Sequence, residues 1–251
     1  MTEILQCTLP YDPFSPRPLP GIQPLDPDGW VLRDEAFAGQ MARRDALIEQ
    51  SRNAVIAMNE TARAAAEELL ASVLAVAYPE TGQADVVQRP DGVEVALDRV
   101  DPIATLGRLV QEDLCILQKI GNEHVLTAGC LCFPASWALS EKFMRPLIGI
   151  HDPVDSYDAN VATRVQRLFD GVRAGRPLWR FNALWYEDAE LHQPRTEAAR
   201  RNVPDRKEAN YLRTERQCIL RLPETDAVVF SIHTFVLDRK TVERAGWSKT
   251  K

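Results

Sequence analysis

One change of side-chain rhythm, near residue 113, limits what this 251-residue chain can fold into more than any motif in it. Before that point apolar residues recur at helical spacing. Phe37, Met41, Leu47 and Ile48 predict a helix over 34–50, with Arg43, Arg44, Asp45 and Glu49 on its other side. Asn59 is the expected N-cap of a second helix over 61–77, rich in alanine and leucine and stopped by Pro79. A third is expected over 102–113. A short strand at 55–58 and a hairpin over 86–95, turning at Pro90-Asp91-Gly92, interrupt the series.

After residue 113 the period becomes two. Strands are expected at 115–120 and 123–133, joined by Gly121-Asn122, then at 178–186, and finally as a hairpin of 211–222 and 227–237. Between them lie a short amphipathic piece at 137–145, a loop at 150–154, a helix over 158–172 and a polar loop at 191–207. Helices followed by a run of strands predict an α+β fold, an antiparallel sheet with helices against one face. Seven of the seventeen prolines fall between Pro10 and Pro27. Proline fixes φ and removes a donor, so 1–33 is expected as an extended arm, anchored by Tyr11, Phe14, Leu19, Ile22 and Trp30. Residues 34–251 form the expected single domain, its first helices an N-terminal extension.

A formal net charge of −6 argues against a nucleic-acid partner, which needs a basic face. No membrane span is expected: the best uncharged stretch, 125–140, carries Pro134 and is shorter than the ~20 residues a bilayer requires. Residues 1–10 lack the basic start and apolar run of a signal peptide. Five unevenly spread cysteines suit a reduced, cytoplasmic protein rather than a disulfide scaffold. Glycine-rich phosphate loops, nucleophile elbows and zinc helices are absent from the sequence. Cys130 and Cys132 share one side of a strand but lack a second ligand pair, so they read as core, as does Cys218.

Of the four histidines, His124 and His233 fall in strands and His192 in a polar loop. His151 follows Leu147-Ile148-Gly149-Ile150 and precedes Asp152-Pro153. With Pro146 and Pro153 stiffening the segment, its imidazole is expected outside regular structure, as an axial haem ligand requires; a histidine capping its own loop is the plainer alternative. Arg213, Glu215 and Gln217 alternate along one strand face, with Arg216 and Arg221 nearby and Arg180 and Asn182 on the preceding strand. That set is either a solvated outer face or a group of donors able to hold haem propionates.

Cys132-Phe-Pro-Ala-Ser-Trp137, Glu141-Lys142 and Arg145-Pro-Leu-Ile-Gly-Ile-His151-Asp-Pro-Val154 resemble the central motif of the haem-dependent oxidative N-demethylase α-subunit family. Arg180-Phe-Asn182, Leu191-His-Gln-Pro194, Leu212-Arg-Thr-Glu-Arg-Gln217 and Leu220-Arg-Leu-Pro223 resemble its later blocks in the same order. The resemblance implies a PAS-like haem-binding fold and an enzyme that oxidises a secondary methylamine, such as dimethylamine, with O2, releasing formaldehyde. It implies haem b held by His151, the metal ligand. Arg180, Arg213 and Arg216 become candidates for propionate contacts or the substrate side, with Asn182 beside them. Glu215 is expected to pair with the amine, and Trp137 or Trp185 to wall the pocket. FMN, a 2Fe-2S cluster and tetrahydrofolate would sit on partner chains, a reductase subunit and a folate-binding subunit. Ala183 follows Asn182 where the family often has tryptophan, and Asp155-Ser156 replaces the usual Pro-Gly. A haem-binding PAS-like sensor or carrier is the alternative function, and a haem-free structural protein a further one.

Overall fold

The fold is that of a computed structural model, which describes residues 3–15, 21–82, 84–151, 159–199, 204 and 206–247, without the side chains of 151 and 159–162. Its first half runs β1 (Gln23–Pro24), α1 (Phe37–Gln50), α2 (Arg52–Val55), β2 (Ile56–Met58), α3 (Arg63–Ala77), β3 (Val86–Gln88), β4 (Glu94–Ala96) and α4 (Pro102–Leu109). Asn59 accepts from the Thr61 amide ahead of α3, and Asp101 caps α4 through the Ala104 amide. The small β3–β4 hairpin turns at Gly92, whose φ of 84° suits glycine.

The second half holds the long strands: β5 (Asp113–Ile120), β6 (Glu123–Cys130), β7 (Leu178–Tyr186), β8 (Tyr211–Arg221) and β9 (Val228–Asp238). Helices α5 (Leu139–Lys142), α6 (Leu147–His151) and α7 (Ala159–Gly171) lie between β6 and β7, and α8 (Arg239–Arg244) follows β9. One antiparallel sheet takes the order β1-β7-β8-β9-β5-β6-β2. The first long strand, β5, thus pairs with the last, β9, as well as with β6.

Helices cover both faces of this sheet, not one. Its strands are apolar at successive positions, so neither face suits water. On one side Leu114, Ile116, Cys130, Cys218 and Leu220 pack with Leu69, Leu106 and Leu109 of α3 and α4. On the other, Cys115, Leu126 and Ile219 pack with Leu139, Leu147 and Phe169 of α5–α7. Each fully buried leucine or isoleucine contributes about 1.5–3 kcal/mol, so both layers are strongly held. The fit is tight where α4 crosses β6: a Cβ on Gly107 would stand 2.5 Å from the Cys130 sulfur and 2.9 Å from Ile48.

Two further expectations change. Ile150 and His151 belong to a helical turn, Leu147–His151, in which the Ile150 amide donates to the Pro146 carbonyl, and the rest of the expected loop, 152–154, lies outside the described residues. Pro146 stands just before the turn, where a missing N–H costs nothing. The third helix ends at Leu109, and Asp113 already belongs to β5. In the arm, Tyr11 and Trp30 are buried and Phe14 half-buried; Leu19 lies outside the described residues. Tyr11 stacks on Phe181 of β7 at 4.4 Å between ring centroids and bonds the Thr214 hydroxyl at 3.0 Å.

Candidate functional site

The β7–β8 register decides which polar side chains meet. Asn182 stands opposite Glu215, Leu184 opposite Arg213 and Arg180 opposite Gln217. Strand alternation puts these six on one face, the face covered further along by α5–α7. Arg213 and Glu215 do not belong to a solvated outer surface, being 2% and 6% exposed, whereas Leu184 at the rim is exposed. A cavity of about 200 Å³ opens there, floored by Asn182, Glu215, Gln217 and Arg213 and walled by Ala135, Trp137, Leu184 and Tyr186.

Glu215 Oε2 accepts from Asn182 Nδ2 and Gln217 Nε2, both at 3.0 Å. Oε1 makes no hydrogen bond among the described residues and stands 3.8 Å from Arg213 Nη2. One carboxylate oxygen is therefore committed to the sheet while the other is left for a ligand. Arg213 spends its own donors on the walls: Nη1 donates to the Leu191 carbonyl at 2.9 Å and Nη2 to that of Phe133 at 2.6 Å. His192 Nδ1 donates to the Cys132 carbonyl at 2.8 Å, and the Ser136 amide to that of Gln193 at 3.2 Å. Asp113 holds the same wall from behind, accepting from the Cys132 and Phe133 amides at 2.7 and 2.8 Å. Its charge is matched by fully buried Arg44 at 2.7 Å. The Trp137 wall is thus fixed by charged groups rather than left as a free loop.

Arg180 is half-buried, and its Nε is enclosed without a partner among the described residues. Burial lowers its pKa from the ordinary guanidinium value, with Glu215 partly offsetting that cost. A charge held this way favours an incoming anion.

Two residues expected at the site are elsewhere. Arg216 and Trp185 point to the opposite face, because their strand positions have the other parity. Arg216 Nη2 donates to the Gly29 carbonyl at 2.6 Å and its guanidinium lies over Trp179 at 5.4 Å. Trp185 stacks beneath Phe14 and carries the Arg239 guanidinium at 4.3 Å. Both fasten the arm and the C-terminal turn. His151 ends α6, which packs on the cavity side of the sheet through Leu147 and Ile150; the His151 side chain lies outside the described residues. His124 bonds Gln166 at 2.9 Å, and His233 lies on the far face between Asp34 and Glu112. No cluster of three metal-ligating side chains occurs among the described residues.

A sequence model of the family described as haem-dependent oxidative N-demethylase, alpha subunit-like, matches residues 21–250. The chain belongs to this family. Haem, which the family's description implies, needs an axial donor and partners for two carboxylates. The donor set on the cavity face suits it: the Nε atoms of Arg180 and Arg213 are buried without partners, and α6 carries His151 on this side of the sheet. The space enclosed by the described residues, about 200 Å³, is below the ~300–1,000 Å³ of drug-sized and cofactor sites, and suits a small substrate.

Ala135, Leu184, Tyr186 and His192 were not expected at the site. Leu184 and Tyr186 share the parity of Asn182, so the strand pattern carried that signal. Ala135 and His192 come together only through the bridge between Ala135 and Gln193, which has no local sequence mark.

Proposed function

We propose that this chain is the haem-carrying subunit of an enzyme that oxidatively removes a methyl group from a small secondary amine such as dimethylamine. In each turnover R–NH–CH3, O2, two electrons and two protons become R–NH2, formaldehyde and water. The electrons come from a separate flavin and iron–sulfur reductase chain, and a folate-binding subunit takes up the formaldehyde. The one observation that carries the proposal is the Glu215 carboxylate, 6% exposed, whose Oε1 makes no hydrogen bond among the described residues and faces a cavity of substrate size, 3.8 Å from Arg213 Nη2.

His151 would hold the iron, with Arg213 toward the propionates. When bound, haem supplies O2 binding and the oxidising power. The chain's own residues do the rest. Glu215 Oε1 accepts a hydrogen bond from the substrate N–H and is the atom placed to take its proton. Asn182 and Gln217 fix the carboxylate's rotation by holding Oε2, so the amine meets one defined position. Trp137 and Tyr186 shield the methyl group from water, and the low dielectric around buried Glu215 strengthens its contact. Five long antiparallel strands with α5–α7 inserted after the second support a PAS-like arrangement of the sheet. A cytoplasmic location goes with this function, since Cys7, Cys115, Cys130, Cys132 and Cys218 are all free.

The test is formaldehyde release. The haem-loaded chain, given a chemical reductant, O2 and dimethylamine, should produce formaldehyde, and Glu215→Gln should lower the rate about 100-fold or more, as loss of a positioned acid–base group does. Full haem loading without formaldehyde would contradict the demethylase and leave a haem carrier or sensor.

A further inference from the structure

One charge on the cavity face has no counter-ion. Arg180 makes no hydrogen bond or ion pair among the described residues, although its Nε is fully enclosed. It stands directly across from Gln217 and two positions from Asn182, both of which line the cavity. Glu215 is its diagonal neighbour on the same face. Diagonal side chains in a sheet start roughly 7–8 Å apart, too far to close an ion pair without reaching. The two amides between them, Asn182 and Gln217, are both turned toward Glu215 Oε2. Glu215 Oε1 therefore faces the cavity with Arg213 Nη2 3.8 Å away, and the Arg180 guanidinium lies beside the cavity, next to its Asn182 and Gln217 floor. Dimethylamine carries one charge and would use only Glu215. A molecule with a cation and a carboxylate a few bonds apart would use both.

We propose that the substrate is a zwitterion, an N-methyl amino acid of the size of N-methylglycine, whose ammonium group meets Glu215 Oε1 and whose carboxylate meets the Arg180 guanidinium. This rests on the N-demethylase function proposed above and names its substrate class; the products become the amino acid, formaldehyde and water, with O2 and the reductase electrons as before. Arg180 offers a carboxylate site in either case, and the carboxylate has two sources, the substrate or a haem propionate. The cavity of about 200 Å³ is of the size of the small molecule, which favours the substrate.

Calorimetric titration of the haem-loaded chain with N-methylglycine and with dimethylamine separates the sources, alongside haem titration of the haem-free chain. The wild type should bind N-methylglycine roughly ten-fold or more tighter than dimethylamine, the value of a hydrogen bond to a charged group. Arg180→Gln should lose that preference while its dimethylamine affinity and haem uptake stay within about two-fold, and Arg180→Lys should restore part of it. Equal affinities in the wild type would overturn the inference. So would Arg180→Gln weakening haem uptake while the preference survives, which assigns Arg180 to a propionate. A wild type that takes up no haem would overturn the proposed function itself, a result distinct from either.

Discussion

The two faces of the β7–β8–β9 region hold their charged side chains differently. On the far face His233 is buried with both ring nitrogens engaged, Nδ1 with Glu112 at 2.8 Å and Nε2 with Asp34 at 3.0 Å. Gln6, Gln40 and Gln111 close the network around Asp34 and the Thr234 carbonyl, tying the arm to α1 and β9. Nearby, Arg44 meets Asp113. On the cavity face Arg180 has no hydrogen-bond or ion-pair partner among the described residues, and Glu215 Oε1 makes no hydrogen bond there, with only Arg213 Nη2 3.8 Å away. Matched charges hold a structure together; unmatched ones beside a cavity are suited to holding something else. The difference in pairing, rather than the number of polar residues, marks the site.

That contrast is broken most forcefully at Arg44. Arg44→Met leaves the Asp113 carboxylate buried without its counter-ion and also frees the wall at Cys132 and Phe133, so unfolding in denaturant should show a loss of about 3–5 kcal/mol. A loss below about 1 kcal/mol would show that this matched pair is not structural.

His233 gives the next largest effect, and its sign is set by pH. Burial alone would lower its pKa, but the carboxylates of Glu112 and Asp34 outweigh burial and hold it at about 9. A folded value above the ordinary 6.5 means that its contribution is complete below about pH 6.5 and is lost as pH rises through 9. The wild type should therefore lose on the order of 3 kcal/mol of stability across that interval, and His233→Gln should show a flat profile there. Asp34, held below its usual value against the cost of burial by His233, works in the other direction and adds stability that is lost only in acid.

Much of this was legible in the sequence, for a physical reason. Strand alternation fixes which residues share a face, so Arg213, Glu215 and Gln217 were readable as a set. The same rule, carried through, excludes Arg216; its guanidinium looked close only because the sequence places it between Glu215 and Gln217. Trp185 fails likewise, because the pairing of Asn182 with Glu215 sets the parity of all of β7. Pro146 misled in another way. Read as a loop stiffener, it instead opens the helical turn that ends at His151. The second helical layer was hidden because strands that are apolar on both sides show weak alternation. The pins at Leu191, Phe133 and Cys132 were not readable at all, since each joins backbone carbonyls to side chains far away in the chain.

Arg180 supplies the smallest effect and the sharpest contrast with Arg44. Arg180→Gln removes a half-buried charge that has no counter-ion, so stability should change by less than about 1 kcal/mol, or rise. Thermal unfolding of Arg180→Gln beside Arg44→Met checks this directly. Equal losses in both would erase the distinction between the two faces.

The central claim is that the α6 side of the sheet carries haem on His151. Its most direct test is haem titration of the purified haem-free chain followed by the Soret band, in the wild type, His151→Ala and His192→Ala. The wild type and His192→Ala should saturate at one haem per chain, and His151→Ala should lose that stoichiometric binding while its far-ultraviolet circular dichroism stays unchanged. An unaltered Soret band and endpoint in His151→Ala would contradict it.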